Sequence, residues 1–383
     1  MANLEDYIGW RGDISFSYDP FNEVDNLVFS VLAYAELDGI LMSTDLQTQV
    51  SLKDLSDAFF KAHPEEELLS RDVLTKNFPL LLRGTGSSVR FQDVRACAYE
   101  NHVSAETDAQ MSAVTFLLDD HTAYVAFRGT DNSVVGWKED FELSYLSETT
   151  GQKLAVAYLN RLFADTDLTL YVGGHSKGGN FAVYAAAFCR EEVKRQIRQV
   201  YSNDGPGFRE EITKSPAYRE IAGRIVSIIP ENSIIGTLLD TAQAQYIVKS
   251  SRKGIMQHDA LSWQIYGHHF EVVTGRSGGS RFMEDTIENW VGSMDDVKRR
   301  SFVEDLFSFF EITGHDTFEE IKNHGFSSVR SIWQYTKELP AEDRSRFLDT
   351  LGQLVKSGKD TAWEKFKEQL LGKNTSDEEE KET

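Results

Sequence analysis

The stretch that most restricts this chain is Leu168-Thr-Leu-Tyr-Val-Gly-Gly-His-Ser-Lys-Gly-Gly-Asn180. A short apolar run, Leu168 to Val172, enters a cluster of four glycines around Ser176, and an alanine-rich stretch, Phe181 to Phe188, follows directly. Strand, tight turn and helix are thereby set in immediate succession, and Gly174-His175-Ser176-Lys177-Gly178 fits G-x-S-x-G within that context. The reason is steric: a serine on so sharp a turn sits in strained backbone, and residues without bulk two before and two after it let strand and helix approach. The hydroxyl is then held at the carboxyl end of a sheet, above a helix N-terminus whose N–H groups can hold an oxyanion. A phosphate loop is the competing reading. The stretch lacks the G-K-[ST] ending, and its glycines fall wrongly for G-x-G-x-x-G.

Around this turn the apolar periodicity changes twice. Residues 1–95 read as a helical region packed on the core: Val24, Leu27, Val28, Val31, Leu32 and Ala35 recur at helical spacing after Asn22, a cap. Leu52, Leu55 and Phe59 predict a second helix, and Leu68 to Leu82 a third. Residues 96–280 read as the core, with β-favouring runs at Cys97–Val103, Ser112–Leu118 and Ala123–Phe127, a helix from about Gly151 to Phe163, and further strands at Gln199–Ser202, Arg224–Ile229 and Tyr246–Lys249. Strands alternating with helices predict an α/β fold, a mostly parallel sheet covered by helices. Residues 281–372 return to helical stripes such as Met283, Ile287, Trp290, Val291 and Met294, while 373–383 is an acidic tail without aromatics, expected to be disordered.

Composition removes several classes of function. Lys plus Arg is 40 against 61 for Asp plus Glu, a net charge of −21, which argues against nucleic acid and against adhesion to anionic lipid. No run approaches the roughly 18 apolar residues of a membrane span, and the opening Met1-Ala-Asn-Leu-Glu-Asp is acidic with no apolar h-region, so no secretory signal is expected. Two cysteines, Cys97 and Cys189, make neither a disulfide framework nor a metal site, and a reducing cytoplasm is the expected compartment. The aromatic and leucine stripes read as core, so no cofactor and no metal are expected.

A serine needs a base to take its proton, and the base needs an orienting acid. In this type of sheet both follow the serine in the chain, acid first and histidine last. His63, His102 and His121 precede Ser176, and His175 occupies the variable position of the motif. His258, just past the Tyr246–Lys249 strand in Gln-His-Asp, is the favoured base over His268 and His269. Glu231, just past the Arg224–Ile229 strand, is the favoured acid, with Asp204 and Asp240 as alternatives. For an oxyanion hole, the residue after the serine, Lys177, offers one backbone N–H, and Thr130 in Arg-Gly-Thr-Asp is placed for the second.

Those residues carry a resemblance. Ala126-Phe-Arg-Gly-Thr130 with Trp137 and Asp140, then Gly174-His175-Ser176-x-Gly178-Gly179, resembles the class 3 lipase branch of the α/β-hydrolases. More closely, Gly-His-Ser-Lys-Gly-Gly-Asn (174–180), Asn-Asp-Gly-Pro-Gly-Phe (203–208), Ile-Pro-Glu-Asn-Ser (229–233) and Gln-His-Asp…Ser-Trp (257–263) resemble the Mbeg1-like proteins, a bacterial family of unknown function in that branch. This closer likeness runs from Asn22-Glu-Val-Asp-Asn26 to about residue 273. It implies an α/β-hydrolase fold, Ser176 as nucleophile, His258 as base, Thr130 with Lys177 at the oxyanion hole, and a small-molecule or lipid-like ester or thioester as substrate. The chain departs from class 3 lipases in carrying Lys177 where they usually have leucine, and Glu231-Asn232-Ser233 where they place Asp-x-Val-Pro. A catalytically silent scaffold that binds a partner or small ligand is the reading from another class, because a fold does not decide a function.

Overall fold

The computed structural model describes residues 2–273 apart from 71–74, 105–108, 131–142, 144, 145, 147, 232, 234, 238, 240–244 and 253. The chain divides into two compact units, Met1–Met294 and Asp295–Thr383, and every described residue belongs to the first. Trp137, Asp140, Asp240, the helical stripes expected beyond 281 and the acidic tail therefore lie outside the described residues.

The leader contains α1 (Leu4–Arg11), α2 (Glu23–Leu32), β1 (Val50–Ser51), α3 (Leu52–Ala62), α4 (Glu65–Ser70) and α5 (Leu81–Ser87). Three strands follow, β2 (Arg95–Ser104), β3 (Ala109–Leu117) and β4 (Thr122–Phe127), and then α6 (Thr150–Phe163). Strand β5 (Thr169–His175) runs straight into α7 (Lys177–Phe188), with only Ser176 between them. Next come α8 (Glu191–Lys194), β6 (Ile197–Asn203), α9 (Glu210–Thr213), α10 (Pro216–Ile221), β7 (Ile225–Pro230) and β8 (Gln245–Val248). A small hairpin of β9 (Ile265–Tyr266) and β10 (His269–Phe270) ends the described chain.

Strands β1 to β8 form one sheet in simple chain order. Neighbours from β1 to β4 are antiparallel, and from β4 to β8 every pair is parallel. The parallel part aligns the carboxyl ends of β4 to β8 on one edge, where α/β sheets gather their binding and reacting groups. Alternation along β4 divides the core between the two faces. Tyr124 and Ala126 pack with the leader helices, whereas Ala123, Val125 and Phe127 pack with α6, α7 and α10. This is the mostly parallel, helix-covered α/β architecture expected of the sequence.

The leader is built into this core. Helix α2 is buried from Val24 to Leu32, apolar enough all round to lie within the protein. Phe29 meets the rings of Phe116 and Tyr124 at centroid distances of 4.9 and 5.5 Å. The motif Asn22-Glu-Val-Asp-Asn26 explains the docking residue by residue. Asn22 caps the helix, accepting from the Val24 and Asp25 N–H groups at 2.9 and 3.2 Å. Asp25 receives Arg90 at 2.5 Å in an ion pair with both side chains fully buried, and the Tyr7 hydroxyl at 2.9 Å. Asn26 exchanges amide hydrogen bonds with Asn203 at the end of β6, 2.9 and 3.1 Å, and accepts from Tyr124 at 2.7 Å.

One predicted helix divides. The stretch from Leu68 to Leu82 is not continuous: α4 ends at Ser70, and a short 3₁₀ turn, Phe78–Leu80, precedes α5. Pro79 lacks an N–H and so opens a helical turn rather than continuing one. Among the described residues, no helix is long and apolar enough to cross a membrane, and no group of His, Cys, Asp and Glu side chains could hold a metal ion. Cys97 and Cys189 are free and buried.

Candidate active site

Ser176 joins β5 to α7 in a backbone conformation of φ 58°, ψ −134°, a region L-residues seldom occupy. The surroundings impose it. A methyl group on Gly174 or Gly178 would overlap the facing backbone, Gly174 against Gly178 and Gly178 against the Phe127 carbonyl. Both glycines are therefore required for strand and helix to meet at this turn, as the spacing predicts. The turn is pinned by the Ser176 N–H, which donates to the Asn203 carbonyl at 2.9 Å, and by the Gly179 N–H, which donates to the Ser176 carbonyl at 2.9 Å. Ser176 itself is partly exposed.

His258 lies in a short 3₁₀ helix, Gly254–His258, past the end of β8. Its ring centroid is 4.6 Å from that of His175, which puts it beside the Ser176 turn. The imidazole Nδ1 meets Asp204 Oδ2 at 2.6 Å, the carboxylate being 1% exposed and the imidazole 19%. A carboxylate only accepts, so Nδ1 carries the hydrogen, and in a neutral imidazole Nε2 is then the atom with the lone pair. The other carboxylate oxygen, Oδ1, accepts from the Ser233 hydroxyl and from the Gly236 N–H at 3.1 Å.

The acid that meets the histidine is thus Asp204 and not Glu231. Glu231 does follow β7, but the contact it makes there is a backbone one, its N–H donating to the Val248 carbonyl at 3.0 Å. Asp204 reaches the histidine because it has a left-handed backbone (φ 51°) and its N–H is held by the Ile228 carbonyl at 2.7 Å, so the chain turns inward directly after β6. Asn180 anchors the loop beyond, donating to the carbonyls of Pro206 and Gly207 at 3.2 and 2.9 Å, and is itself held by Gln152 at 2.8 Å.

Of the two residues expected to supply oxyanion donors, Lys177 follows the serine in the chain and Thr130 follows a glycine that packs against it. Lys177 is the first residue of α7. Its buried side chain runs the other way, Nζ donating to Gln110 Oε1 at 3.1 Å over the Phe181 ring, so the departure from leucine keeps a long apolar stem in the core. Thr130 follows Gly129, which is pressed against the turn: a methyl on Gly129 would stand 3.0 Å from Ser176 Cβ and 2.5 Å from the His175 carbonyl.

The alternative histidines lie elsewhere. His268 Nδ1 meets Asp19 at 2.9 Å and Arg11 at 3.0 Å, and His269 faces Glu23 at 3.5 Å. The remaining motif residues shape the His258 loop. Asp259 caps the following turn by accepting the Leu261 N–H at 3.0 Å, burial raises its carboxyl above the usual range, and Trp263 Nε1 donates to the Gln257 carbonyl at 2.8 Å. Sequence reasoning passed over His175, which the fold buries against His258; the signal available was only its position beside the serine. Beyond β7, Ile235 opens a 3₁₀ turn and Leu239 has φ 66°, while Ile234 and Leu238 lie outside the described residues.

The model of the Mbeg1-like family matches residues 85–308, more than half of the chain. No curated protein matches it. Four chains of solved structures do. One, "Crystal structure of M37 lipase", is 15% identical, with 57% of this chain and 70% of that chain covered at a TM-score of 0.33.

Proposed function

This chain belongs to the Mbeg1-like family, and on that footing we propose that it is a serine hydrolase that cleaves a carboxylic ester or thioester through an acyl-enzyme. Ser176 is the nucleophile, His258 the base and Asp204 the orienting acid. His258 Nε2 takes the Ser176 proton as Oγ adds to the acyl carbon, and the same proton then passes to the leaving alcohol or thiol. Water repeats the sequence on the acyl-enzyme, with His258 again as base. The N–H groups of Lys177 and Thr130 stabilise the charge that develops on the acyl oxygen. Asp204 holds Nδ1–H and offsets the positive charge that His258 acquires.

One observation carries this reading. A nearly buried carboxylate stands 2.6 Å from the imidazole Nδ1, beside a serine whose backbone is held at positive φ. Such strain persists only where the surrounding structure imposes it, and it clusters at reacting groups. The reaction is expected in a reducing cytoplasm, in keeping with the two free thiols.

The test is labelling with a fluorophosphonate, which reacts only with an activated serine. The wild-type protein should be labelled and should turn over p-nitrophenyl esters, and Ser176→Ala should do neither while keeping its fold. No labelling of folded wild-type protein would leave the silent scaffold as the better reading.

A further inference from the structure

His175 is buried, and its ring has two polar contacts. Its Nε2 lies 2.8 Å from the backbone carbonyl of His258, and its Nδ1 lies 3.1 Å from the hydroxyl of Tyr34, a leader residue just after α2. A carbonyl can only accept, so Nε2 carries the hydrogen. Burial, and then the nearby His258, hold the His175 pKa well below its ordinary value. The ring is therefore neutral and its Nδ1 is bare, facing the Tyr34 hydroxyl, which also reaches the His175 carbonyl at 3.3 Å. Phe78 and Trp263 confine the ring at centroid distances of 5.7 and 6.2 Å, and the His258 ring lies over it at 4.6 Å.

The geometry points to His175 as a positioning residue for the reaction proposed above: its Nε2–H fixes the backbone of His258, and the Tyr34 hydroxyl holds the other side of its ring. The inference rests on the hydrolase reading but reaches further, because it gives the leader a part in holding the base. The need for a second fixing point follows from the loop. Asp204 holds the His258 ring at one atom, and rotation about that bond would still swing Nε2 away from Ser176. A hydrogen bond on the carbonyl of the same residue removes that freedom. A base displaced by about 1 Å can cost on the order of a hundredfold in rate. A neutral, enclosed His175 also does not compete with His258 for the Ser176 proton.

The experiment has two readouts. Nitrogen-15 NMR of histidine-labelled protein reports the tautomer, and p-nitrophenyl butyrate kinetics report kcat and KM separately. The expected results are a neutral Nε2–H tautomer at His175 between pH 6 and 8, and a kcat about tenfold or more lower in His175→Phe with KM within about twofold. His175→Gln, whose amide reaches the same carbonyl, should recover kcat to within about threefold of wild type. Tyr34→Phe, which removes one hydroxyl, should keep the Nε2–H tautomer that the His258 carbonyl requires and lower kcat less than His175→Phe does. A wild-type Nδ1–H tautomer, an unchanged kcat in His175→Phe, or equal losses in His175→Phe and His175→Gln would each overturn the proposal. Absence of ester turnover in the wild type would instead count against the hydrolase reading, and the tautomer would still decide whether the hydrogen-bond chain exists.

Discussion

Asp204→Asn tests the assignment of the acid most sharply, because the structure dictates how the new amide must sit. Oδ1 of Asp204 accepts a backbone N–H from Gly236 at 3.1 Å, and that donor cannot rotate away. The carbonyl oxygen of the introduced asparagine must occupy this position, where the Ser233 hydroxyl also reaches it. Its NH₂ group then faces His258 Nδ1, which Asp204 Oδ2 meets at 2.6 Å in the native protein. The imidazole can satisfy that donor only by moving its own hydrogen to Nε2, the atom that takes the serine proton in the proposed reaction. The fold is retained and the tautomer is wrong. The corresponding change in a serine protease lowers kcat about 10⁴-fold, which is about 5 kcal/mol of transition-state stabilisation. The same loss is expected here in kcat for p-nitrophenyl butyrate and in the rate of fluorophosphonate labelling, with circular dichroism unchanged. Glu231→Gln is the control and should stay within about twofold of wild type. An Asp204→Asn protein that keeps more than a tenth of wild-type kcat, or a Glu231→Gln protein that loses as much, would refute the reasoning.

Arg90→Ala should destabilise the protein by about 3–5 kcal/mol, because it strands the fully buried Asp25 carboxylate without its partner; urea unfolding measures this, and a loss below about 1 kcal/mol would mean the pair contributes little. Burial depresses the His175 pKa below its ordinary 6.5, so the unfolded chain binds a proton that the native state refuses. Stability should therefore be unaffected by this group above pH 6.5 and fall below it, by up to about 1.4 kcal/mol per pH unit, and His175→Gln should reduce that slope in parallel urea titrations at pH 5.5 and 7.5. If Ile235, Leu239 and their neighbours line an apolar acyl site, kcat/KM should rise from acetate to butyrate to hexanoate by about fourfold per methylene; a series that peaks at acetate would mean a small polar site.

The elbow was legible because its cause is local. Gly174, Ser176 and Gly178 lie within five residues, and the clash that demands small side chains can be worked out from the turn alone. The strand ends, and the position of His258 just past β8, were legible from β-favouring runs and chain order. The choice between Asp204 and Glu231 was not. It depends on a left-handed residue after β6 and on a hydrogen bond to Ile228 across the sheet, and neither has a period. Asn-Asp-Gly-Pro-Gly announces a sharp turn but not its direction. The leader posed the same difficulty. Asn22 read correctly as a cap, yet the partners of Asp25 and Asn26, Arg90 and Asn203, are 65 and 177 residues away. No window along the chain joins them. His175 was hidden for a related reason, since its role exists only once the His258 loop folds over it.

The pairing of Asn26 with Asn203 also sets a timetable for synthesis. Helix α2 leaves the ribosome long before β6, its partner, has been made, and 177 residues separate the two amides. At about 5–20 residues per second that gap lasts roughly 10–35 s. Until β3 and β4 are made, Val24, Leu27, Val28 and Phe29 have only other leader residues to pack against, and Tyr201 of the finished core arrives later still. The growing chain therefore carries one buried-type helix in waiting. That helix, rather than the late-made elbow, is the segment on which a chaperone or a neighbouring nascent chain would first act.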